Sequence, residues 1–111
     1  MELYKTLEIF ASLAQETRLK VFKFVLEYGR DGVAAGVISD ELKIPANTLS
    51  FHLSHMSNAG LVTSKKSGRS VTYFANSAVI DQLIEFLEEN CCAREKSKKS
   101  KSAKNCNERN C

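Results

Sequence analysis

The residues best suited to chemistry in this chain are its four cysteines, Cys91, Cys92, Cys106 and Cys111. All four lie in the last 21 residues, and the apolar body before them contains none. A secreted disulfide scaffold spreads its cysteines through the fold. These read instead as thiols of a reducing compartment, available as soft ligands or as redox groups. On composition alone, metalloid binding and redox chemistry are equally open. A four-thiolate zinc or cadmium site is a competitor, ranked lower because the adjacent ligands Cys91 and Cys92 would strain a tetrahedron.

A second set of residues suits a polyanion. Asn47, Thr48, Ser50, Phe51, Ser54 and His55 lie off the apolar stripe of one helical segment, and most are short and polar, as contacts to base edges in a major groove require. Shortly after them, Lys65, Lys66 and Arg69 crowd one hairpin tip, where cations suit a phosphate backbone. His52 and His55 stand three apart and could be a metal pair. No carboxylate or cysteine lies nearby in sequence to complete such a site, so groove contact, or packing beside the nucleic acid, is the reading for both.

The elements that must position these residues follow from periodicity. Residues 3–14 predict a helix with Leu3, Leu7, Phe10 and Ala14 as a stripe that Ile9 and Leu13 widen. A second helix spans about 16–28, with Leu19, Phe22, Val25 and Leu26 inward and Gly29 as its stop. Residues 30–32 read as a loop. A short helix over 35–43 carries Ile38 and Leu42 and ends at Ile44-Pro45, because the residue before proline disfavours helical geometry. The next helix runs over 46–58 on Leu49, Leu53 and Met56, with Pro45 supplying no capping oxygen and Gly60 as stop. Two strands follow, about 61–66 and 69–75, with Ser67-Gly68 as the turn. A last helix over 77–90 has Ile80, Leu83, Ile84 and Leu87 as its stripe and Ser77 as N-cap.

The length of 111 residues predicts one domain, here residues 1–92, followed by a basic, cysteine-containing flexible tail over 93–111. The net charge of +3 is uneven: the tail holds seven Lys or Arg against two Glu, while the body is slightly acidic. Whole-chain charge is therefore poor evidence for nucleic-acid binding, and local placement has to carry it. No run of about 18 apolar residues predicts a membrane span. The start, Met1 to Lys5, has no basic segment leading into an apolar stretch, so the expected compartment is the cytoplasm. No nucleophile–base pairing, phosphate-cradling glycine loop or catalytic metal motif points to an enzyme.

Helix, helix, helix, helix, basic hairpin, helix is the order of a winged helix-turn-helix, a mainly α (α+β) fold with five helices and one β-hairpin wing. The chain resembles the ArsR family of metalloregulatory repressors in Leu13-Ala14-Gln15-Glu16-Thr17-Arg18-Leu19 and Leu49-Ser50-Phe51-His52-Leu53. Ala59-Gly60-Leu61-Val62 and Gly68-Arg69-Ser70-Val71-Thr72-Tyr73 extend the resemblance, which covers residues 3–92. It implies a homodimer through the first and last helices, bound to double-stranded operator DNA, with repression lifted by an inducer. It also implies that Asn47, Thr48, Ser50 and His52 fall on the DNA-reading helix and that Lys65, Lys66 and Arg69 fall on the wing.

Members of that family place inducer sites in different elements. Val33 to Ile38 holds no thiol, and the last helix offers Asp81, Glu85, Glu88 and Glu89 but no histidine. Asn90-Cys91-Cys92 remains, and it is similar to an arsenic-responsive subgroup with an adjacent pair there and a third cysteine downstream. The resemblance implies arsenite or antimonite as inducer, held by Cys91, Cys92 and Cys106, with Cys111 as the alternative third ligand. In that subgroup the third cysteine follows after a few residues, whereas Cys106 and Cys111 lie 14 and 19 residues beyond Cys92. Loop-closure cost grows only logarithmically with length, so chelation across this spacing is feasible. A non-DNA thiol or metal-buffering protein and a redox-switched repressor are the rival expectations.

Overall fold

The computed structural model describes residues 1–96. Among them are five α-helices, α1 (Leu3–Leu13), α2 (Glu16–Leu26), α3 (Ala35–Leu42), α4 (Ala46–Asn58) and α5 (Ala78–Glu88). Three strands, β1 (Val33–Ala34), β2 (Val62–Ser67) and β3 (Ser70–Ala75), form an antiparallel sheet in the order β1-β3-β2. This is a winged helix-turn-helix, with α3 and α4 as its helix pair and β2–β3 as its wing.

Beyond the expected hairpin the structure adds β1, whose Val33 pairs with Tyr73 and Ala34 with Thr72. Two residues are too short to show an alternating pattern, which is why this stretch reads as loop. The pairing depends on Gly32, whose φ is +71° and whose missing Cβ would lie 2.5 Å from the Phe74 ring and 2.8 Å from the Thr72 methyl. The wing turn also falls one residue later than expected. Ser67 pairs with Ser70, leaving Gly68-Arg69 as the two-residue loop, and Gly68 at its first position takes φ +60°. A positive φ at that position is the II′ pattern, which matches strand twist.

The core is built from Ile9, Val21, Phe22, Val25, Ile38, Leu49, Leu53, Met56, Leu61 and Val62, with Val79 and Leu83 docking α5 onto it. Helix α4 ends in a Schellman motif: Gly60 has φ +84°, Gly60 N–H donates to Ser57 O at 3.1 Å and Leu61 N–H to Met56 O at 2.9 Å. Asn76 then ties the base of the wing to this corner, donating from its side chain to Gly60 O at 3.0 Å and from its backbone to Leu61 O at 2.8 Å. The turn between α3 and α4 is closed by Lys43 in the left-handed region, φ 55°. Ser77 stands at the N-cap of α5, but its side chain makes no capping bond.

The broad apolar face of the first helix divides. Thr6, Ile9 and Ser12 are buried, while Leu3, Tyr4, Leu7 and Phe10 are exposed. Leu19 of α2, expected inward, is exposed, as is Leu87 of the α5 stripe. The pattern of α1 shows that a face is apolar; what covers that face is decided by tertiary packing.

Gly32→Ala is expected to destabilise the domain by about 2–3 kcal/mol, combining a disfavoured φ with overpacking against Phe74. Gly36→Ala, inside α3 with open space around its Cα, is expected to stabilise by about 0.5–1 kcal/mol. Thermal or urea unfolding of the two variants checks both signs.

Candidate nucleic-acid interface and thiol pair

Helix α4 is fixed along one side by Leu49, Leu53 and Met56, all buried. Asn47, Ser50, Phe51 and Ser54 therefore project from the opposite side, and all four are exposed. Phe51 is the large apolar residue of this face, at 65 % exposure. Pro45 offers no capping oxygen, and Asn47 compensates: its Oδ1 accepts from Thr48 N–H at 2.9 Å, which leaves its amide nitrogen free to donate outward.

Thr48, His52 and His55 lie on a flank of the same helix, in the i, i+4, i+7 row that turns toward α1 and α2. His52 is buried, whereas His55 is exposed; each makes a polar contact to a neighbouring helix. His52 is only 8 % exposed, and its Nδ1 lies 3.3 Å from a guanidinium nitrogen of Arg18. His55 Nδ1 lies 3.0 Å from Ser12 Oγ on α1. Arg18 Nε in turn donates to Ser12 O at 2.7 Å, capping the carbonyl end of α1. Gln15 completes the corner as N-cap of α2, its Oε1 accepting from Arg18 N–H at 2.8 Å. Burial, Arg18 and His55 together lower the His52 pKa, with burial the largest cause.

The wing places Lys65, Lys66 and Arg69 in solvent. Lys65 pairs with Thr72 and Lys66 with Val71, so the two lysines alternate across the ribbon. Arg69 sits in the turn itself. A duplex lying against one face of the wing would meet Arg69 and one lysine, with the other lysine turned away.

At the far end of α5 the chain makes a turn in which Cys91 N–H donates to Glu88 O and Cys92 takes φ 64°. That turn brings Cys91 Sγ and Cys92 Sγ to 3.4 Å, with Cys91 exposed and Cys92 half-buried. The hydrogen bond from Cys91, followed by partial burial and the Cys91 and Glu95 charges, pushes the Cys92 thiol up to about 11. The shift follows from the immediate neighbours of Cys92, another thiol and a carboxylate. Among the described residues no group of three His, Cys, Asp or Glu side chains is poised to hold a metal. Cys106 and Cys111 lie outside the described residues.

The fold, the polar outward face of α4 and the cationic wing define a winged helix-turn-helix regulator. Residues 13–65 match the model of a helix-turn-helix domain family. An HTH-type transcriptional regulator of Methanocaldococcus jannaschii, itself uncharacterised, is 36% identical over 90 residues, covering 80% of this chain and 99% of the relative. An ArsR-like transcriptional regulator from Rhodococcus sp. RHA1 superposes with TM-score 0.67 at 29% identity, covering 78% of each chain. HlyU from Vibrio cholerae N16961 superposes with TM-score 0.64 at 27% identity, covering 80% of this chain and 94% of that one. The chain belongs to the HTH-type transcriptional regulators, and its ArsR-like neighbour makes it similar to regulators of ArsR type.

Sequence reasoning did not single out Arg18 or Ser12. Both lie in or beside the stretch that carries the family resemblance. The available signal was an arginine in the first turn of a helix that follows a short break, a position from which a guanidinium can reach back to the preceding helix's carbonyls.

In a chain with Cys106 and Cys111 replaced by Ser, the thiolate absorbance should rise in two steps, the second near pH 11. Cys91→Ala should return Cys92 toward the ordinary thiol range, because the largest cause of its shift is removed. A single step in the two-thiol chain would contradict the coupling.

Proposed function

We propose that this regulator is a homodimeric repressor of a metalloid-resistance operon, released from double-stranded operator DNA when arsenite or antimonite binds Cys91, Cys92 and a third thiol. The observation that carries the sensor is the 3.4 Å separation of two thiols at the end of α5. One centre can take both sulfurs with little rearrangement. Cys106 is the preferred third ligand and Cys111 the alternative.

Proton accounting favours a metalloid over zinc or cadmium. A divalent cation must expel thiol protons into solution, including one from a group held near pKa 11. Arsenous acid condenses with neutral thiols: each As–S bond replaces an As–OH bond, and the thiol proton leaves with that hydroxyl as water. The raised Cys92 pKa disfavours the first reaction at neutral pH and leaves the balance of the second unchanged.

Dimerisation is supported by the uncovered apolar residues. Leu3, Tyr4, Leu7 and Phe10 on α1 and Leu87 on α5 are exposed, Tyr4 at 74 % and Leu87 at 63 %. A second copy covering α1 and α5 would bury them and place two α4 helices for successive major grooves, about 34 Å apart. The thiol pair would then sit at the end of a dimer-forming helix, where binding a three-thiolate centre can favour one dimer geometry over another.

A second reading uses the same sulfur–sulfur distance. A disulfide oxidant could join Cys91 and Cys92 through exchange, its own disulfide being reduced to two thiols. This would be a redox-switched repressor of the same family.

Fluorescence anisotropy of DNA from upstream of the gene, under a phosphine reductant that does not chelate arsenic, separates these readings. Arsenite is expected to weaken binding about 5- to 150-fold, whereas zinc and cadmium leave it unchanged. Cys91→Ser and Cys92→Ser should bind DNA normally and lose the release; an undiminished arsenite response in both would place the sensor elsewhere. With the phosphine removed beforehand, release by a small disulfide but not by arsenite would select the redox reading. Phe10→Glu should shift the chain toward monomer in sedimentation and lower DNA affinity by at least about ten-fold, since a buried unpaired carboxylate costs several kcal/mol.

A further inference from the structure

We propose that Ser12, Arg18, His52 and His55 form a polar clamp that sets the angle of α4 against the α1–α2 corner. Arg18 and the two histidines thereby act as positioning residues for DNA recognition. The inference rests on the DNA-binding reading above.

The chain has two histidines, and both belong to this network. The clamp joins three helices. Arg18 of α2 reaches Ser12 O of α1 at 2.7 Å and His52 of α4 at 3.3 Å. Ser12 Oγ, fully buried, meets His55 Nδ1 at 3.0 Å one turn further along α4. The hydrophobic row of α4 is non-directional and tolerates a small rotation of the helix. Two polar contacts one turn apart on one flank do not, because hydrogen bonds weaken steeply with misalignment. Phe51, 65 % exposed on the outward face, rests edge-on against His52, ring centroids 5.5 Å apart. The clamped ring therefore also supports a residue that would enter the groove.

The protonation state is fixed by chemistry. A guanidinium can only donate, so His52 Nδ1 must accept, and the neutral ring carries its proton on Nε2. Adding a proton to Nδ1 would remove the acceptor and set two cations together. The groups facing this centre are Arg18 from α2, His55 from α4 itself, and from α1 Ser12, with Glu8 lining the cleft beside His55. The sign follows from the lowered pKa of His52. The clamped state binds the proton less readily than a released ring, so acid favours release below the ordinary histidine pKa, and the clamp is intact at neutral pH.

This gives a test whose direction is diagnostic. Histidines that touch DNA gain charge in acid and tighten binding. Clamp histidines should loosen specific binding despite the added charge. The probes are a duplex selected by the full chain from a randomised library at neutral pH and a scrambled duplex of equal length, read by anisotropy at fixed salt from about pH 7.5 to 5.5. Affinity for the selected duplex is expected to fall about ten-fold, the size of one lost charge-assisted hydrogen bond, with helical circular dichroism unchanged. Affinity for the scrambled duplex should hold or rise. His52→Asn keeps an uncharged acceptor near the Nδ1 position, so its affinity for the selected duplex, whatever its level at neutral pH, should lose the acid fall. Specific affinity that stays flat or rises in acid, or an acid fall that survives in His52→Asn, overturns the clamp. Failure of the wild-type chain to select any sequence would instead overturn the DNA-binding reading.

Discussion

The structure depends on α4 being held from one side only. Leu49, Leu53 and Met56 bury one face of that helix against α2, α3 and the base of the wing. Burial of those three side chains is worth several kcal/mol, and it leaves Asn47, Ser50, Phe51 and Ser54 exposed on the opposite face. The face that could read a groove is thus what remains once packing has been satisfied. Its neighbours follow from the same constraint. The Schellman turn at Gly60 sends the chain directly into β2, and Asn76 pins the returning strand to that turn. The cations of the wing are therefore carried beside α4 on a rigid ribbon.

Much of this was legible in sequence because it rests on period and punctuation. The five helices, the Ile44-Pro45 break, the stop at Gly60 and the hairpin all leave local marks. What escaped was whatever depends on residues far apart. Strand β1 is two residues long and exists only because Gly32 lets it approach Phe74 and Thr72. Sequence marked the apolar stripe of α1 but not the side the chain itself covers: Leu3, Leu7 and Phe10 outweigh Thr6 and Ser12 in any hydropathy pattern, yet Thr6 and Ser12 are buried. Ser12 is accepted inside by a histidine 43 positions away, and His52 by an arginine 34 positions away. Polar burial of this kind has no signature in a one-dimensional pattern, so sequence left both groove contact and packing open for the two histidines.

The thiol pair shows the limit from the other direction. Adjacency in sequence does not by itself bring two sulfurs together, since successive side chains usually point apart. Here the left-handed Cys92, φ 64°, turns the chain so that both sulfurs face each other at 3.4 Å. The same closeness makes them share a proton and raises Cys92. A thiol raised in this way is a weaker nucleophile at neutral pH, because attack requires the thiolate.

Helix α1 connects these themes. Its outward residues, Leu7 and Phe10, and its inward residues, Ile9 and Ser12, stand on opposite sides of one rod. Any partner that covers the outward side fixes the position of the inward side as well. Ser12 is bonded both to Arg18 through its carbonyl and to His55 through its hydroxyl. A shift of α1 of about an ångström would carry both contacts beyond hydrogen-bond distance unless α4 followed. A close-packed core resists such following gradually and yields in discrete steps. The rigidity of α1 and the shortness of these bonds therefore make the attitude of α4 a function of what α1 packs against.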